Sequence, residues 1–161
     1  NINEIAAASP RLESLIFGMG DFAASQHMPM LDIGHQGTYP GDLWHYPRSR
    51  LVMAARAHGL VPIDGPFADY KDADGLIADG QTGKSMGLSG KWAIHPNQVP
   101  IISKCFSPDP GDVARARSQK AAYEKALEAG QGAVSVDGVM VDQATMKLIE
   151  PLLAQADLLQ I

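Results

Sequence analysis

The chain has 161 residues, of which 45% are hydrophobic and 19% are charged, so it is long enough for a compact core and too apolar for a disordered segment. Its net charge of -5 excludes the basic surface expected of a nucleic-acid-binding protein, and no polybasic stretch predicts contact with a membrane. The single cysteine, Cys105, excludes an internal disulfide, and without a long apolar run or a signal-peptide pattern we expect a cytoplasmic protein.

The amino-terminal part of the chain predicts a helix that Pro10 ends, followed by a short apolar strand over Ser14–Phe17. Since the chain begins inside this predicted helix, we expect further sequence before it. The strand leads into Gly18-Met19-Gly20-Asp21, which places one carboxylate near its carboxyl end. Chemistry in parallel α/β proteins lies at that edge, so Asp21 is a candidate Mg²⁺ ligand. An aspartate that caps the next helix fits the same pattern.

The middle of the chain predicts alternating strands and helices. Residues 25–43 form a long irregular segment rich in glycine and proline, which favours a lid over the candidate carboxylate. Two further strands are predicted over Leu60–Ile63 and Lys91–Ile94, with helices over 47–58 and 73–86. This order predicts a parallel sheet, either part of a (β/α)₈ barrel or a small doubly wound sheet.

The last third of the chain changes pattern. Residues 106–111 predict a linker, and Asp112 is the expected cap of a helix over 113–129. Strand-like alternation over Ala133–Val141 flanks Asp137-Gly138, a strong two-residue hairpin turn, and a final helix is predicted over 143–159. We therefore divide the chain into a main domain over 1–105, a linker and helix over 106–130, and a hairpin with a helix over 131–161.

Three motifs occur together in this order. They are Gly18-Met19-Gly20-Asp21, then Gly-Lys-Trp-Ala-Ile-His-Pro-Asn-Gln over 90–98, then Asp-Gly-Val-Met-Val-Asp over 137–142. In combination they resemble the citrate lyase β-subunit-like (HpcH/HpaI) aldolases, and within them the malyl-CoA lyases. The resemblance implies an α/β fold: the C-terminal part of a (β/α)₈ TIM barrel, plus a small hairpin-and-helix segment that docks as a lid on a neighbouring subunit.

The resemblance also implies an activity. Members cleave malyl-CoA or β-methylmalyl-CoA reversibly into glyoxylate and acetyl-CoA or propionyl-CoA, with Mg²⁺, or Mn²⁺ as an alternative, as cofactor. The implied partners are an acyl-CoA thioester, glyoxylate and further copies of the chain in a trimer or hexamer, with neither nucleic acid nor a membrane. The family's second metal ligand, a glutamate, and its substrate arginine would precede residue 1, so we expect this segment alone to be inactive.

The resemblance assigns roles to five residues. Asp21 would bind the metal, and Gly20, Asp21, Ile94 and His95 would contact the substrate. Asp142, supplied by an adjacent subunit, would move the proton on the carbon next to the thioester. Considered without the resemblance, Asp142 fits a cap of the final helix and His95 fits a structural histidine.

Two other acidic residues follow the second strand. Asp64 and Asp69 are candidates for secondary metal ligands or for caps, and capping is favoured.

Several alternatives stay open at this point. Citramalyl-CoA lyase and malyl-CoA thioesterase would share the metal and CoA sites. A non-catalytic partial barrel would keep the fold without the chemistry. A nucleotide-binding doubly wound domain is disfavoured because no glycine-rich phosphate loop opens a helix.

Overall fold

The computed structural model describes residues 1–33 and 39–161, and these form two compact units, 1–106 and 107–161. Residues 34–38 of the predicted lid lie outside the described part. The first unit contains a parallel sheet in the order β1-β2-β3, with Ser14 paired to Val61 and Ile63 to Gly90. Its elements are α1 (Ile2–Ala6), β1 (Ser14–Ile16), α2 (Met19–Ser25), α3 (His45–Ala57), β2 (Val61–Asp64), α4 (Ala73–Ser85), β3 (Gly90–Lys91) and α5 (Gln98–Phe106).

The core of the first unit lies on one face of this sheet. Alternation along β1 buries Leu15 and leaves Ile16 exposed, as expected when successive side chains point to opposite faces. The buried face packs against helices. The rings of Trp44 and Phe17 meet edge to face, with their centroids 5.7 Å apart. The predicted parallel sheet is confirmed, and so is the predicted order of strands and helices apart from one additional helix, α2.

Three local features of the first unit differ from the predictions. Helix α2 was not predicted, because Gly20 in its first turn is a poor helix former; burial of Met19 and Ala23 on one side outweighs that propensity. Strand β2 runs one residue further, to Asp64. Strand β3 is only two residues long, so residues 92–97 form a loop.

The second unit is a helix, a hairpin and a helix. The hairpin is antiparallel, and Asp137 and Gly138 turn it with φ of 50° and 78°, as a type I′ turn requires. Its elements are α6 (Pro110–Glu128), β4 (Ala133–Val136), β5 (Val139–Asp142) and α7 (Gln143–Leu159). The hairpin and α7 confirm the predictions for this part of the chain.

The start of α6 corrects one prediction. The cap is Asp109, whose carboxylate accepts from the backbone N–H groups of Gly111 at 2.8 Å and Asp112 at 3.1 Å. Pro110 fills the first helical position, where its missing N–H costs nothing. The prediction that Asp112 caps this helix is therefore wrong.

No helix among the described residues is both long and apolar enough to cross a bilayer.

Candidate functional site

The carboxyl ends of the three parallel strands meet at one edge of the sheet, which we call the strand-end edge. Gly20 and Asp21 follow β1, and Ile94 and His95 follow β3. The four residues predicted to contact substrate therefore lie in segments that leave the same edge, with β2 between them.

Asp21 lies in the first turn of α2, where its carboxylate is exposed. The N-cap of that helix is Gly18, so the interpretation of Asp21 as a cap is wrong. Asp21 lines a cavity of about 560 Å³ together with Tyr46 and Arg50.

The described residues contain no group of three or more His, Cys, Asp or Glu side chains arranged to hold a metal ion. Mg²⁺ takes oxygen ligands in octahedral geometry and is commonly held by one or two carboxylates together with water and substrate. The exposed carboxylate of Asp21 fits one position of such a shell. This part of the chain thus offers one candidate ligand rather than a complete metal site.

Gln98 fixes the loop that carries Ile94 and His95. Its side chain is 1% exposed, and its Oε1 accepts from the backbone N–H of Ile94 at 2.9 Å and of His95 at 3.3 Å. Its Nε2 donates to the carbonyl of Phe67 at 2.9 Å, which ties this loop to the segment after β2. Because Gln98 occupies both N–H groups, the side chains and carbonyl oxygens of Ile94 and His95 are what this loop can offer to a ligand.

The His95 ring is held on two sides. The backbone N–H of Asn97 donates to its Nδ1 at 3.2 Å. The ring of Tyr70 stacks on it, with centroids 4.5 Å apart and planes 18° from parallel. His95 is half-buried at the strand-end edge, and Ile94 beside it is 48% exposed.

A buried network of charges lies under the strand-end edge, and sequence reasoning missed it. Arg48 on α3 donates to Asp64 through Nε and Nη2, both at 2.9 Å, and to Asp79 at 2.7 Å. Lys91 on β3 donates to Asp64 at 2.8 Å and also pairs with Asp79. The side chains of Arg48, Asp64 and Lys91 are fully buried.

The network keeps Arg48 and Asp79 charged. Burial opposes the charge on Arg48, yet the carboxylates of Asp64 and Asp79 raise its pKa above the ordinary value. Burial likewise opposes the charge on Asp79, yet Lys91 and Arg48 lower its pKa. Both residues are therefore ionised at neutral pH.

The network also fixes the start of the His95 loop. It joins α3, α4 and the ends of β2 and β3, and the carbonyl of Asp64 accepts from the backbone N–H of Trp92 at 3.0 Å. Asp64 is therefore neither a metal ligand nor a helix cap, and that interpretation is wrong. A sequence signal existed, since a strand ending in Asp and another containing Lys place opposite charges on neighbouring strands.

Asp69 has a local role. Its carboxylate accepts from the backbone N–H of Lys71 at 3.0 Å, which shapes the turn before α4. The cap of α4 is Asp72, whose carboxylate accepts from the backbone N–H of Gly75 at 2.9 Å.

Asp142 caps α7 in the second unit. Its carboxylate accepts from the backbone N–H of Thr145 at 3.0 Å, and its own N–H donates to the Thr145 hydroxyl at 3.3 Å, which forms a capping box. The hydrogen bond from the Thr145 backbone is the main cause that lowers the pKa of Asp142. Asp142 is thus a carboxylate at neutral pH, able to accept a proton. Its catalytic role stays a prediction.

The chain is similar in sequence to known proteins. Residues 1–96 match the HpcH/HpaI aldolase/citrate lyase family model. The L-malyl-CoA/beta-methylmalyl-CoA lyase of Cereibacter sphaeroides is 40% identical over 99% of this chain, and that of Rhodobacter capsulatus is 40% identical over 100% of it. The chain spans about half of these relatives, 53% and 54% of their lengths.

A solved structure is also similar. The CitE protein of Mycobacterium tuberculosis, in complex with magnesium, acetoacetate and coenzyme A, is 28% identical with a TM-score of 0.78. The match covers 97% of this chain and 56% of that one. The mixed α/β fold of the chain is therefore similar to that of a citrate lyase β-subunit-type protein.

Proposed function

The chain belongs to the HpcH/HpaI aldolase/citrate lyase family, and from this premise we propose that it is the carboxyl-terminal part of a Mg²⁺-dependent carbon–carbon lyase acting on malyl-CoA. The reaction is the reversible cleavage of malyl-CoA into acetyl-CoA and glyoxylate, with β-methylmalyl-CoA as a second substrate. The single observation that supports it most is the placement of Asp21 and His95 in segments leaving one edge of a parallel sheet.

We propose further that the three-stranded sheet is one arc of a (β/α)₈ barrel. The face turned away from the helices carries Ile16, which is 52% exposed, and Val61, which is 42% exposed. In a closed barrel such side chains fill the interior. The exposure of aliphatic side chains on this face supports an arc of a larger barrel over a complete small sheet.

In cleavage, the bond between the carbon next to the thioester and the hydroxyl-bearing carbon breaks. The hydroxyl proton leaves as glyoxylate forms, and the electron pair moves onto the thioester as an enolate. The enolate carbon then takes a proton to give acetyl-CoA. In the reverse direction a base must remove that proton, and Asp142, which is ionised at neutral pH, would serve as that base.

Each residue of the strand-end edge then has a role. Asp21 would hold the metal through its exposed carboxylate, and Gly20 lets the substrate approach the backbone. When bound, Mg²⁺ supplies Lewis-acid polarisation of the substrate oxygens. Ile94 and His95 would line the thioester arm, and Gln98 keeps their loop in place.

We also propose that Asp142 acts in trans, in a homo-oligomer. Mixing Asp21→Ala protomers with Asp142→Asn protomers would create some sites that contain both native aspartates. Activity should then return in the mixed oligomer, well above that of either variant alone. If the mixture stays as inactive as its components after subunit exchange, Asp142 does not act in trans.

Product analysis tests the function itself. In the presence of Mg²⁺, the full-length protein should convert malyl-CoA into glyoxylate and acetyl-CoA in equal amounts. Release of malate with free coenzyme A would instead identify a thioesterase. Absence of any turnover by a folded protein would favour a non-catalytic member of the family.

A further inference from the structure

Tyr70 and His95 bridge two neighbouring loops at the strand-end edge. Tyr70 lies between β2 and α4, and His95 lies between β3 and α5. Their rings stack at 4.5 Å with only 18° between the planes. A ring pair of this kind restricts rotation of both side chains, so the orientation of the imidazole depends on Tyr70.

The hydrogen bond from Asn97 fixes where the imidazole proton lies. A backbone N–H can only donate, so the Nδ1 of His95 that receives it at 3.2 Å must be an unprotonated acceptor. A neutral imidazole carries one proton, which must then be on Nε2. The geometry points to His95 as an Nε2–H tautomer.

The backbone under Tyr70 is held from both sides. Gln98 donates to the carbonyl of Phe67 at 2.9 Å, and the N–H of Ala68 donates to the carbonyl of Ile33 at 2.7 Å. The N–H of Tyr70 donates to Ala68 at 2.9 Å, which closes a tight turn. Tyr70 therefore has a fixed base, although its side chain is 46% exposed.

We propose that Tyr70 is a positioning residue that holds His95 as a neutral Nε2–H donor to the thioester carbonyl oxygen of the acyl-CoA substrate. This inference rests on the proposed lyase function. Negative charge grows on that oxygen as the enolate forms, and a pre-oriented neutral donor stabilises the charge without losing its proton. Stacking alone does not require the hydroxyl group of Tyr70.

Imidazole ¹⁵N spectra of the full-length protein test the tautomer without any assay of activity. His95 should show a protonated Nε2 and an unprotonated Nδ1 when neutral. In Tyr70→Leu this preference should weaken, and in Tyr70→Phe it should persist because the stacked ring remains. A protonated Nδ1 in the native chain overturns the inference.

Kinetics of the full-length protein test the positioning role. His95→Ala should lower kcat for malyl-CoA roughly 10²-fold, as for loss of an oxyanion donor. Tyr70→Leu should lower kcat about tenfold with little change in KM, as expected from misplacement of a catalytic group. Tyr70→Phe should restore most of the activity, and Met53→Ala, at a 60% exposed position on α3, is the control for unspecific loss.

A double-mutant cycle separates positioning from simple support of the fold. If Tyr70 acts through His95, Tyr70→Leu should have almost no further effect in the His95→Ala background. An equal loss of kcat in both backgrounds, or equal activities of Tyr70→Leu and Tyr70→Phe, overturns the proposal. If the native protein fails to cleave malyl-CoA, the proposed function fails, and the ¹⁵N spectra still decide the tautomer.

Discussion

Arg48 and Asp64 form a fully buried two-point ion pair, in which Nε and Nη2 of the guanidinium each lie 2.9 Å from a carboxylate oxygen. The pair joins α3 to the end of β2, directly below the loops proposed to bind substrate. Its contribution to stability depends on having both partners. Without Arg48, the carboxylates of Asp64 and Asp79 are left to share the ammonium of Lys91, so the buried charges no longer balance.

Removal of one partner should therefore strongly lower the free energy of unfolding. We expect Arg48→Met to lower the free energy of unfolding by about 3–5 kcal/mol, because Asp64 loses a buried partner. Arg48→Lys keeps the charge but loses the two-point geometry, and should cost less, about 1–3 kcal/mol. Chemical denaturation followed by circular dichroism measures both variants.

The exposed pair between Arg115 and Asp112 provides the control, since its side chains are 68% and 53% exposed. Arg115→Met should change the free energy of unfolding by less than about 1 kcal/mol. Equal effects of Arg48→Met and Arg115→Met would show that the buried network contributes no more than a surface pair.

Asp79 should make the first unit sensitive to acid. Its pKa is lowered in the folded state by Lys91 and Arg48, which outweigh the opposing effect of burial. The stabilisation is complete above the ordinary aspartate pKa of about 4, and it is lost as pH falls through the lower folded value. The difference in stability between the native chain and Asp79→Asn should therefore be largest near neutral pH and shrink in acid.

Urea denaturation at several pH values measures this difference. Asp74→Asn, at an exposed position in the first turn of the same helix, is the matched control. A constant difference between native and Asp79→Asn chains across the acid range would contradict the assignment.

Gln98 should control the exchange of two backbone amides. Gln98→Ala removes the acceptor for the N–H groups of Ile94 and His95, so their hydrogen exchange should accelerate. Gln98→Glu keeps an acceptor but loses the donor to Phe67, and should protect these amides better than alanine does. Exchange of the Leu76 amide in α4 is the internal reference. If Ile94 and His95 exchange at native rates in Gln98→Ala, another group holds this loop.

Asp142 should show two separable roles. Asparagine is as good an N-cap as aspartate, so Asp142→Asn should keep α7 stable while slowing turnover of malyl-CoA by orders of magnitude. Asp142→Ala should reduce both the stability of α7 and the turnover of malyl-CoA. Thermal unfolding of the 161-residue chain and turnover by the full-length protein report the two roles. Near-native turnover by Asp142→Asn would leave Asp142 with its cap role alone.

How much of the structure follows from the sequence depends on how local each interaction is. The bounds of α7 were predictable because an Asp cap and a periodic apolar face lie within one segment. The turn at Asp137-Gly138 was equally local. Helix α2 was not, since burial of Met19 and Ala23 against distant residues outweighs the poor helix propensity of Gly20.

In the candidate site, too, the features that depend on local sequence were predictable and the long-range contacts were not. The motif around Asp21 and the loop of His95 could be placed at one sheet edge from the strand order alone. The opposite charges of Asp64 and Lys91 on neighbouring strands gave a signal for one part of the buried network. The contact of Arg48 with Asp64 gave none, because the two residues are 16 positions apart and meet only where α3 packs on the end of β2. The stack of Tyr70 on His95 likewise joins two loops that no local pattern connects.

The central claim is that Asp21 binds a divalent ion needed to cleave malyl-CoA, and a titration of glyoxylate release against Mg²⁺ tests it most directly. The full-length native protein should require Mg²⁺, while Asp21→Ala, folded as judged by circular dichroism, should release almost no glyoxylate at any Mg²⁺ concentration. Native-like release by Asp21→Ala with an unchanged Mg²⁺ dependence would contradict the account.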